Sequence, residues 1–149
     1  LRAKARRLKA QQDIRLIIID YLQLMEGGGG ESRQQEISVI SRGLKALARE
    51  LKIPVIAVSQ LNRSVETREG HKPRISDLRE SGSIEQDADV IILLHRDDYY
   101  DPNKKPGEVE LNIAKQRNGP IGKITLTFLR QFLRFENCNT NTNTNLDMY

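Results

Sequence analysis

Cysteine, tryptophan and aromatic residues in general are scarce in this 149-residue chain. Cys138 is the one cysteine, so no disulfide can form within the chain. The N-terminus has no apolar signal-peptide core, and these two absences together predict a cytoplasmic protein. Tryptophan is absent and aromatic residues make up 5% of the sequence, which argues against a sheet that stacks nucleic-acid bases on several aromatic rings.

Long apolar runs and phosphate-cradling glycine motifs are also missing. No apolar run approaches the ~20 residues that span a bilayer, so no membrane association is predicted. A P-loop requires the pattern G-x-x-x-x-G-K-[ST], but Gly122-Lys123 is followed by isoleucine and the glycine spacing is wrong. His71, His95 and Cys138 do not have the spacing of a metal site.

Length and charge set the remaining limits. The chain fits one domain with a buried core, which we place at residues 1–137. Residues 138–149 are rich in Asn and Thr and are predicted to be a disordered tail. The net charge of +4 permits an anionic partner but does not require one.

Apolar periodicity predicts helices that alternate with strands. A basic helix is predicted at Leu1–Gln12 and an amphipathic one at Ser32–Lys52, where Ser32 and Gln35 have the spacing of a capping box. Three short runs that are apolar on both faces predict buried parallel strands, and two alternating runs predict an antiparallel hairpin. The predicted strands are Ile14–Asp20, Ile53–Ser59, Ala88–His95, Glu108–Gln116 and Lys123–Phe135.

The order of these elements predicts the fold class. Strand, helix and strand in succession indicate an α/β domain, a mainly parallel sheet flanked by helices, with the C-terminal β-hairpin as an extension. Gln60–Asp87 is polar and charged and is predicted to be a long loop with a short helix near Ser83–Asp87. Loops of this length inside a domain are often functional.

Candidate functional residues lie where the predicted parallel strands end, because ligands of open α/β sheets bind at the carboxyl ends of the strands. The three ends carry Asp20, Ser59-Gln60 and His95-Arg96. An acid after an apolar strand holds Mg²⁺ in nucleoside triphosphatases, and a neighbouring amide can reach a γ-phosphate or the attacking water. Asp20 is equally compatible with a strand-end acid that caps a loop, and Gln60 with a solvated loop residue.

Two further clusters carry cations. Lys115 and Arg117 alternate at the end of a strand and point to the same side, so they could reach a phosphate across a subunit boundary. A solvated strand end is the alternative. Arg79 and Gly82 suit a loop that follows a nucleic-acid backbone without reading its sequence. Glu80 and the other acids of that segment leave an ordinary mixed-charge loop open.

Four long strings in this sequence resemble the replicative hexameric DNA helicases of the DnaB family. They follow one another with family-like spacing and cover most of residues 1–137, which is far more specific than any single motif. The strings are LIIIDYLQLM (Leu16–Met25), RQQEISVISRGLKALARELKIPVIAVSQLNR (Arg33–Arg63), KPRISDLRESGSIEQDADVIILLHRDDYY (Lys72–Tyr100) and IAKQRNGPIGKITLTF (Ile113–Phe128).

The resemblance implies a RecA-like fold and a homo-hexamer that hydrolyses ATP with Mg²⁺ between its subunits. It implies that Asp20 is the catalytic acid that acts on the metal and that Gln60 senses the γ-phosphate. Arg117 matches the arginine finger that acts in trans, and Lys115 lies beside it on the neighbour's phosphates. These roles are expectations that come from the family.

The resemblance also implies partners. The enzyme is expected to translocate on single-stranded DNA and to unwind duplex DNA at the replication fork as part of the primosome. Arg79, Glu80 and Gly82 match the loop that tracks the DNA backbone in the central channel. Primase and a helicase loader are the protein partners expected from the family.

The sequence departs from the family pattern at one point. The family's P-loop and catalytic glutamate would lie before Leu1, so the 149-residue chain by itself is expected to be inactive as an ATPase. Two other hypotheses stay open. One is a different ATPase of the RecA type, and the other is an ATPase-inactive module that binds single-stranded DNA or a protein partner.

Overall fold

The computed structural model describes residues 1–26 and 32–138, with the backbone alone for residues 79–81. Short 3₁₀ turns connect several of its helices and strands. In chain order the helices and strands are α1 (Arg2–Gln12), β1 (Ile17–Ile19), α2 (Arg33–Leu51), β2 (Val55–Ala57), α3 (Gly82–Asp87), β3 (Val90–His95), β4 (Glu108–Gln116), β5 (Gly122–Leu129) and β6 (Arg134–Asn137).

Helix α2 forms where the sequence predicts it, and local chemistry sets both of its ends. The Ser32 side chain accepts a hydrogen bond of 3.3 Å from the Gln35 amide, which satisfies one of the free N–H groups of the first turn. Lys52 ends the helix in a left-handed conformation with φ of 54°. The buried stripe of α2 consists of Ile37, Ile40, Leu44 and Leu47.

Strands β1 and β2 pair in parallel, with Ile17 opposite Val55 and Ile19 opposite Ala57. Two backbone hydrogen bonds extend the pairing beyond the strands, from Val58 N–H to the Ile19 carbonyl and from Leu22 N–H to the Val58 carbonyl, each 2.9 Å long. The two chain segments that follow β1 and β2 are therefore held side by side. Helix α2 covers one face of this pair through a core of Leu22, Ile40 and Leu44 with Ile19, Val55 and Ile84 packed against it.

The second sheet has the antiparallel order β3-β4-β5-β6, and its central pair is the predicted hairpin. The prediction of one strand over Lys123–Phe135 is wrong, because β5 ends at Leu129 and β6 begins at Arg134. Between them Leu133 has φ of 47°, a left-handed conformation that strands do not adopt, and the chain reverses there. The four strands form a continuous antiparallel surface.

Strand β3 is predicted to be buried on both faces and to pair in parallel. The structure differs on both points. The strand pairs antiparallel with β4. Its burial alternates: Ile91 and Leu93 are buried, but Ile92 is 52% exposed and Leu94 is 59% exposed. In the described part of the chain nothing covers this second face, and the same is true of Ile18 on β1, which is 63% exposed.

Among the helices that the structure describes, none combines the length and the apolar character that crossing a bilayer requires. The predicted Asn/Thr tail (138–149) falls, apart from its first residue, outside the described residues.

Candidate functional site

Asp20 stands at the carboxyl end of β1, directly after the three isoleucines that form the strand. It is exposed, and it has no hydrogen-bond or ion-pair partner among the described residues. Mg²⁺ in nucleotide sites is bound through one or two carboxylates, with phosphate oxygens and water as its other ligands. A single exposed and unpaired carboxylate fits that requirement, so Asp20 could hold the ion.

Gln60 follows the neighbouring strand, three residues after the end of β2. Its backbone amide is held by Gln23, and its own side chain is exposed. Because Val58 is bonded to Ile19 across the two segments, Asp20 and Gln60 lie at the same edge of the parallel pair. The sequence prediction that these two residues share one edge is thus consistent with the strand pairing.

Lys115 lies near the end of β4 and Arg117 directly follows the strand, and both contact the C-terminal end of helix α3. The Lys115 ammonium donates to the carbonyl of Glu85, and the Arg117 guanidinium donates to the carbonyl of Gln86 at 2.6 Å. The last carbonyls of a helix carry a partial negative charge, which favours cations at this position. Both side chains therefore point to the same side of the strand, as predicted, and they rest on α3.

Asp89 completes the surroundings of Arg117. Its carboxylate lies 3.6 Å from the guanidinium and accepts a hydrogen bond from Lys45 of α2. The Lys45 ammonium, followed by smaller contributions that include Arg117, holds the pKa of Asp89 below its usual range. Arg117 thus has one carboxylate and one carbonyl as partners, and both are exposed to exchange with a competing anion.

The segment between Gln60 and α3 is anchored by a buried acid, Asp77, that no motif or spacing in the sequence marks. Asp77 is 4% exposed and accepts two hydrogen bonds from the Arg68 guanidinium, at 2.6 and 2.9 Å. It also accepts one of 2.6 Å from the Arg74 amide. The Arg68 guanidinium is the main cause of a pKa of Asp77 below its usual range.

The predicted DNA-tracking residues follow this anchor. The side chains of Arg79 and Glu80 lie outside the described residues. Gly82 begins α3 with φ of −52°, an ordinary helical value, and a Cβ placed on it would meet none of the described atoms within 4 Å. Gly82 is therefore not required by a special backbone conformation.

The third strand end, His95-Arg96, is occupied by internal ion pairs. The Arg96 guanidinium donates to both oxygens of Asp98 at 2.9 and 3.1 Å, and Asp98 also accepts from the Gly107 amide at 3.0 Å. His95 is buried, and its Nε2 lies 3.1 Å from a carboxylate oxygen of Asp97. These groups stabilise the turn after β3, and they do not join Asp20 and Gln60.

The family model of the DnaB-like helicase C-terminal domain matches residues 1–137 of the chain. The chain belongs to this family.

Relatives agree with this assignment. The replicative DNA helicase DnaB of Geobacillus stearothermophilus is 56% identical over 140 residues, which are 92% of this chain and 31% of that protein. The replicative DNA helicase DnaC of Bacillus subtilis (strain 168) is 54% identical over the same shares. The chain therefore spans about a third of the length of these helicases.

Solved structures confirm the predicted fold class. A solved ATPase domain matches with a TM-score of 0.87 and 48% identity, over 92% of this chain and 50% of that domain. A DnaB-like replicative helicase, described with its interactions with primase, matches with the same TM-score and identity over 34% of its length. The two sheets and α1–α3 are thus part of a RecA-like helicase domain, and the family prediction is confirmed.

Asp77→Asn is expected to destabilise the fold by about 2 kcal/mol, because it weakens charge-assisted hydrogen bonds at a buried site. The pKa of Asp77 is lowered by folding, so its stabilising contribution is present above about pH 4, the usual value of the group, and is lost as the pH falls through the lower folded value. Thermal unfolding from pH 7 to pH 2 measures this: the wild-type and variant curves should converge in acid. Glu69→Gln, an exposed acid of the same segment, should leave the curve unchanged.

Proposed function

We propose that this chain is the part of an ATP-driven replicative DNA helicase that carries the metal ligand, the γ-phosphate sensor and the arginine finger. The full-length polypeptide, meaning this chain with the parts that its relatives carry, would form a homo-hexamer, translocate on single-stranded DNA and unwind duplex DNA at the replication fork. The observation that carries the proposal is the shared edge of Asp20 and Gln60 at the ends of two paired parallel strands.

In this proposal Asp20 binds the Mg²⁺ that accompanies ATP. Bound Mg²⁺ would neutralise charge on the β- and γ-phosphates. Asp20 is suited to this because its carboxylate is exposed and is not already engaged by a cation among the described residues. Gln60 would contact the γ-phosphate or orient the attacking water from the neighbouring strand.

Lys115 and Arg117 would bind the nucleotide of the adjacent subunit, with Arg117 as the catalytic arginine finger. In this chain both donate to carbonyls of α3, and Arg117 also pairs with the solvent-exposed carboxylate of Asp89. Contacts of this kind are weak in water, so a phosphate of higher charge can compete for them. Lys115 and Arg117 would leave α3 when the nucleotide of the adjacent subunit comes within their reach.

Helix α3 would couple the finger to DNA. It begins at Gly82, beside Arg79 and Glu80 of the proposed DNA-tracking loop, and its C-terminal carbonyls hold Lys115 and Arg117. Ser41 of α2 donates to Asp87, the last residue of α3, at 2.7 Å and ties the helix to α2. A shift of α3 on DNA binding would therefore change the position of the finger.

Membership of the family supports proposals for further partners and for the location. The solved DnaB-like helicase described with its interactions with primase supports primase as a partner in a primosome, and a helicase loader is expected with it. We propose that the enzyme acts in the cytoplasm, where bacterial DNA is replicated. Unwinding of a forked duplex by the full-length polypeptide, dependent on ATP and Mg²⁺, tests the function directly.

The 149-residue chain by itself is expected to release no phosphate from ATP, with or without single-stranded DNA. Its sequence contains no G-x-x-x-x-G-K-[ST] motif to bind the phosphates. A phosphate-release assay at saturating ATP and Mg²⁺ measures this, with the full-length polypeptide as the positive control. DNA-stimulated ATP hydrolysis by the chain alone would contradict the proposal that this chain carries only part of the ATPase site.

A further inference from the structure

Gln23 connects the segment after β1 to the segment after β2. Its side-chain amide nitrogen donates to the Ser59 hydroxyl at 3.1 Å and to the Gln60 carbonyl at 3.2 Å. Its amide oxygen accepts from the Gln60 backbone N–H at 3.3 Å. One side-chain amide thus pairs with both polar groups of the Gln60 backbone.

Gln23 is itself held in place. The Arg33 guanidinium donates to the Gln23 carbonyl and, at 3.1 Å, to the Met25 carbonyl, and Glu36 binds the other side of the same guanidinium. The amide of the preceding residue, Leu22, is bonded to the Val58 carbonyl, and the Leu22 side chain is buried. The amide of Gln23 therefore projects from a fixed backbone.

We propose that Gln23 is a positioning residue that sets the backbone of Gln60, so that the Gln60 side chain points toward the nucleotide held beside Asp20. The inference rests on the proposed role of Gln60 as the γ-phosphate sensor. Backbone pairing of β1 with β2 ends at Leu22 and Val58, and the Gln23 amide continues it by one residue. Without Gln23, the backbone of Gln60 has no partner from the β1 side among the described residues.

Only a carboxamide makes this two-point contact at position 23. Pairing with a peptide group requires one donor and one acceptor at the end of the same side chain, which Gln provides. Glutamate has the same shape but, when ionised, it only accepts, so it would oppose the Gln60 carbonyl. Leucine has similar volume and makes neither bond.

The experiment measures DNA-stimulated ATP hydrolysis by the full-length polypeptide carrying Gln23→Glu, Gln60→Ala, or both. Gln23→Glu is expected to lower kcat about tenfold, the effect of losing one or two hydrogen bonds that orient a reacting group. The KM for ATP should stay within about twofold, because the Gln23 amide is engaged with Ser59 and Gln60 and has no proposed contact with the nucleotide. Gln11→Glu, on the exposed end of α1, is the control and should leave kcat unchanged.

The double variant separates positioning from general structure. If Gln23 acts through the Gln60 side chain, Gln23→Glu causes no further loss in the Gln60→Ala background. A tenfold loss that persists in that background overturns the proposal. Wild-type kcat in Gln23→Glu, with a reduced kcat in Gln60→Ala, also overturns it and leaves the function of Gln60 intact.

A normal kcat in Gln60→Ala is a different result, since it refutes the proposed role of Gln60 and the positioning role with it. Thermal unfolding shows whether each variant folds. If the Gln23→Glu variant does not fold, Gln23→Leu, which introduces no charge, is measured in the same way, alone and combined with Gln60→Ala. Loss of folding in both variants would assign Gln23 a purely structural role and overturn the proposal.

Discussion

Arg117→Ala is expected to lower DNA-stimulated ATP hydrolysis by the full-length polypeptide by about 1,000-fold or more, the effect of removing an arginine finger. ATP affinity should change little, because the finger stabilises charge that develops on the phosphates during hydrolysis. Steady-state phosphate release gives kcat, and fluorescence titration with a labelled nucleotide gives the affinity. Among the described residues the Arg117 side chain has only the Gln86 carbonyl as a hydrogen-bond partner and Asp89 as an ion-pair partner, both exposed, so its removal should not unfold the protein.

Two controls decide whether the loss is specific and whether Arg117 acts in trans. Arg15→Ala removes a guanidinium whose side chain is 88% exposed, and it should leave hydrolysis unchanged. Rings mixed from Arg117→Ala and Asp20→Asn subunits contain some interfaces with an intact Asp20 on one side and an intact Arg117 on the other. Partial recovery of activity in mixed rings is expected. Failure to recover, with hexamers confirmed by mass, would place both residues in the same site of one subunit and refute a trans finger.

The parts of the fold that depend on local chemistry could be predicted from the sequence. Helix α2 has its N-cap at Ser32 and its buried stripe at the predicted spacing, because capping and periodicity are properties of neighbouring residues. The hairpin of β4 and β5 is equally predictable from the alternation of apolar and polar residues. The end of β5 could not be predicted, because Leu133 adopts a left-handed conformation that leucine rarely takes. Its residue type therefore does not indicate a chain reversal.

The burial of the strands in this chain could not be predicted from the sequence. An apolar residue indicates that the complete protein covers it, and not that this chain alone does. Ile18, Ile56 and Ile92 are each more than half exposed here, although their strands are apolar on both faces. The chain matches only 50% of the solved ATPase domain. We infer that the other half of such a domain covers these faces in the full-length polypeptide, as the apolar pattern requires.

For the site, the sequence predicts which residues lie at the ends of the strands. It does not reveal which side chains fix the neighbouring segments in place. Asp20 and Gln60 follow apolar runs, so the general rule for ligands of α/β sheets locates both. Gln23 and Asp77 are recognised only by their distant partners, 37 and 9 residues away along the chain. Polar pairs of this kind have no period or spacing, and the folded chain is needed to find them.

Asp20→Asn is expected to lower kcat of the full-length polypeptide by about 100- to 1,000-fold, since the metal supplies several kcal/mol of charge stabilisation in the transition state. The amide keeps the shape of the side chain but removes the charge that binds the ion. The Mg²⁺ concentration that gives half-maximal activity should therefore rise. A titration of phosphate release with Mg²⁺ at saturating ATP measures both effects.

The exposure of Asp20 makes this prediction unusually easy to separate from stability. Because Asp20 has no hydrogen-bond or ion-pair partner among the described residues, its replacement should not change the melting temperature. Glu26→Gln, an exposed acid in the segment that follows the same strand, should change neither stability nor kcat. A variant that melts earlier without losing its Mg²⁺ response would mean that Asp20 caps the loop after β1. The metal would then have to be bound by an acid elsewhere in the full-length polypeptide, and Gln60 would lose the neighbour on which its role depends.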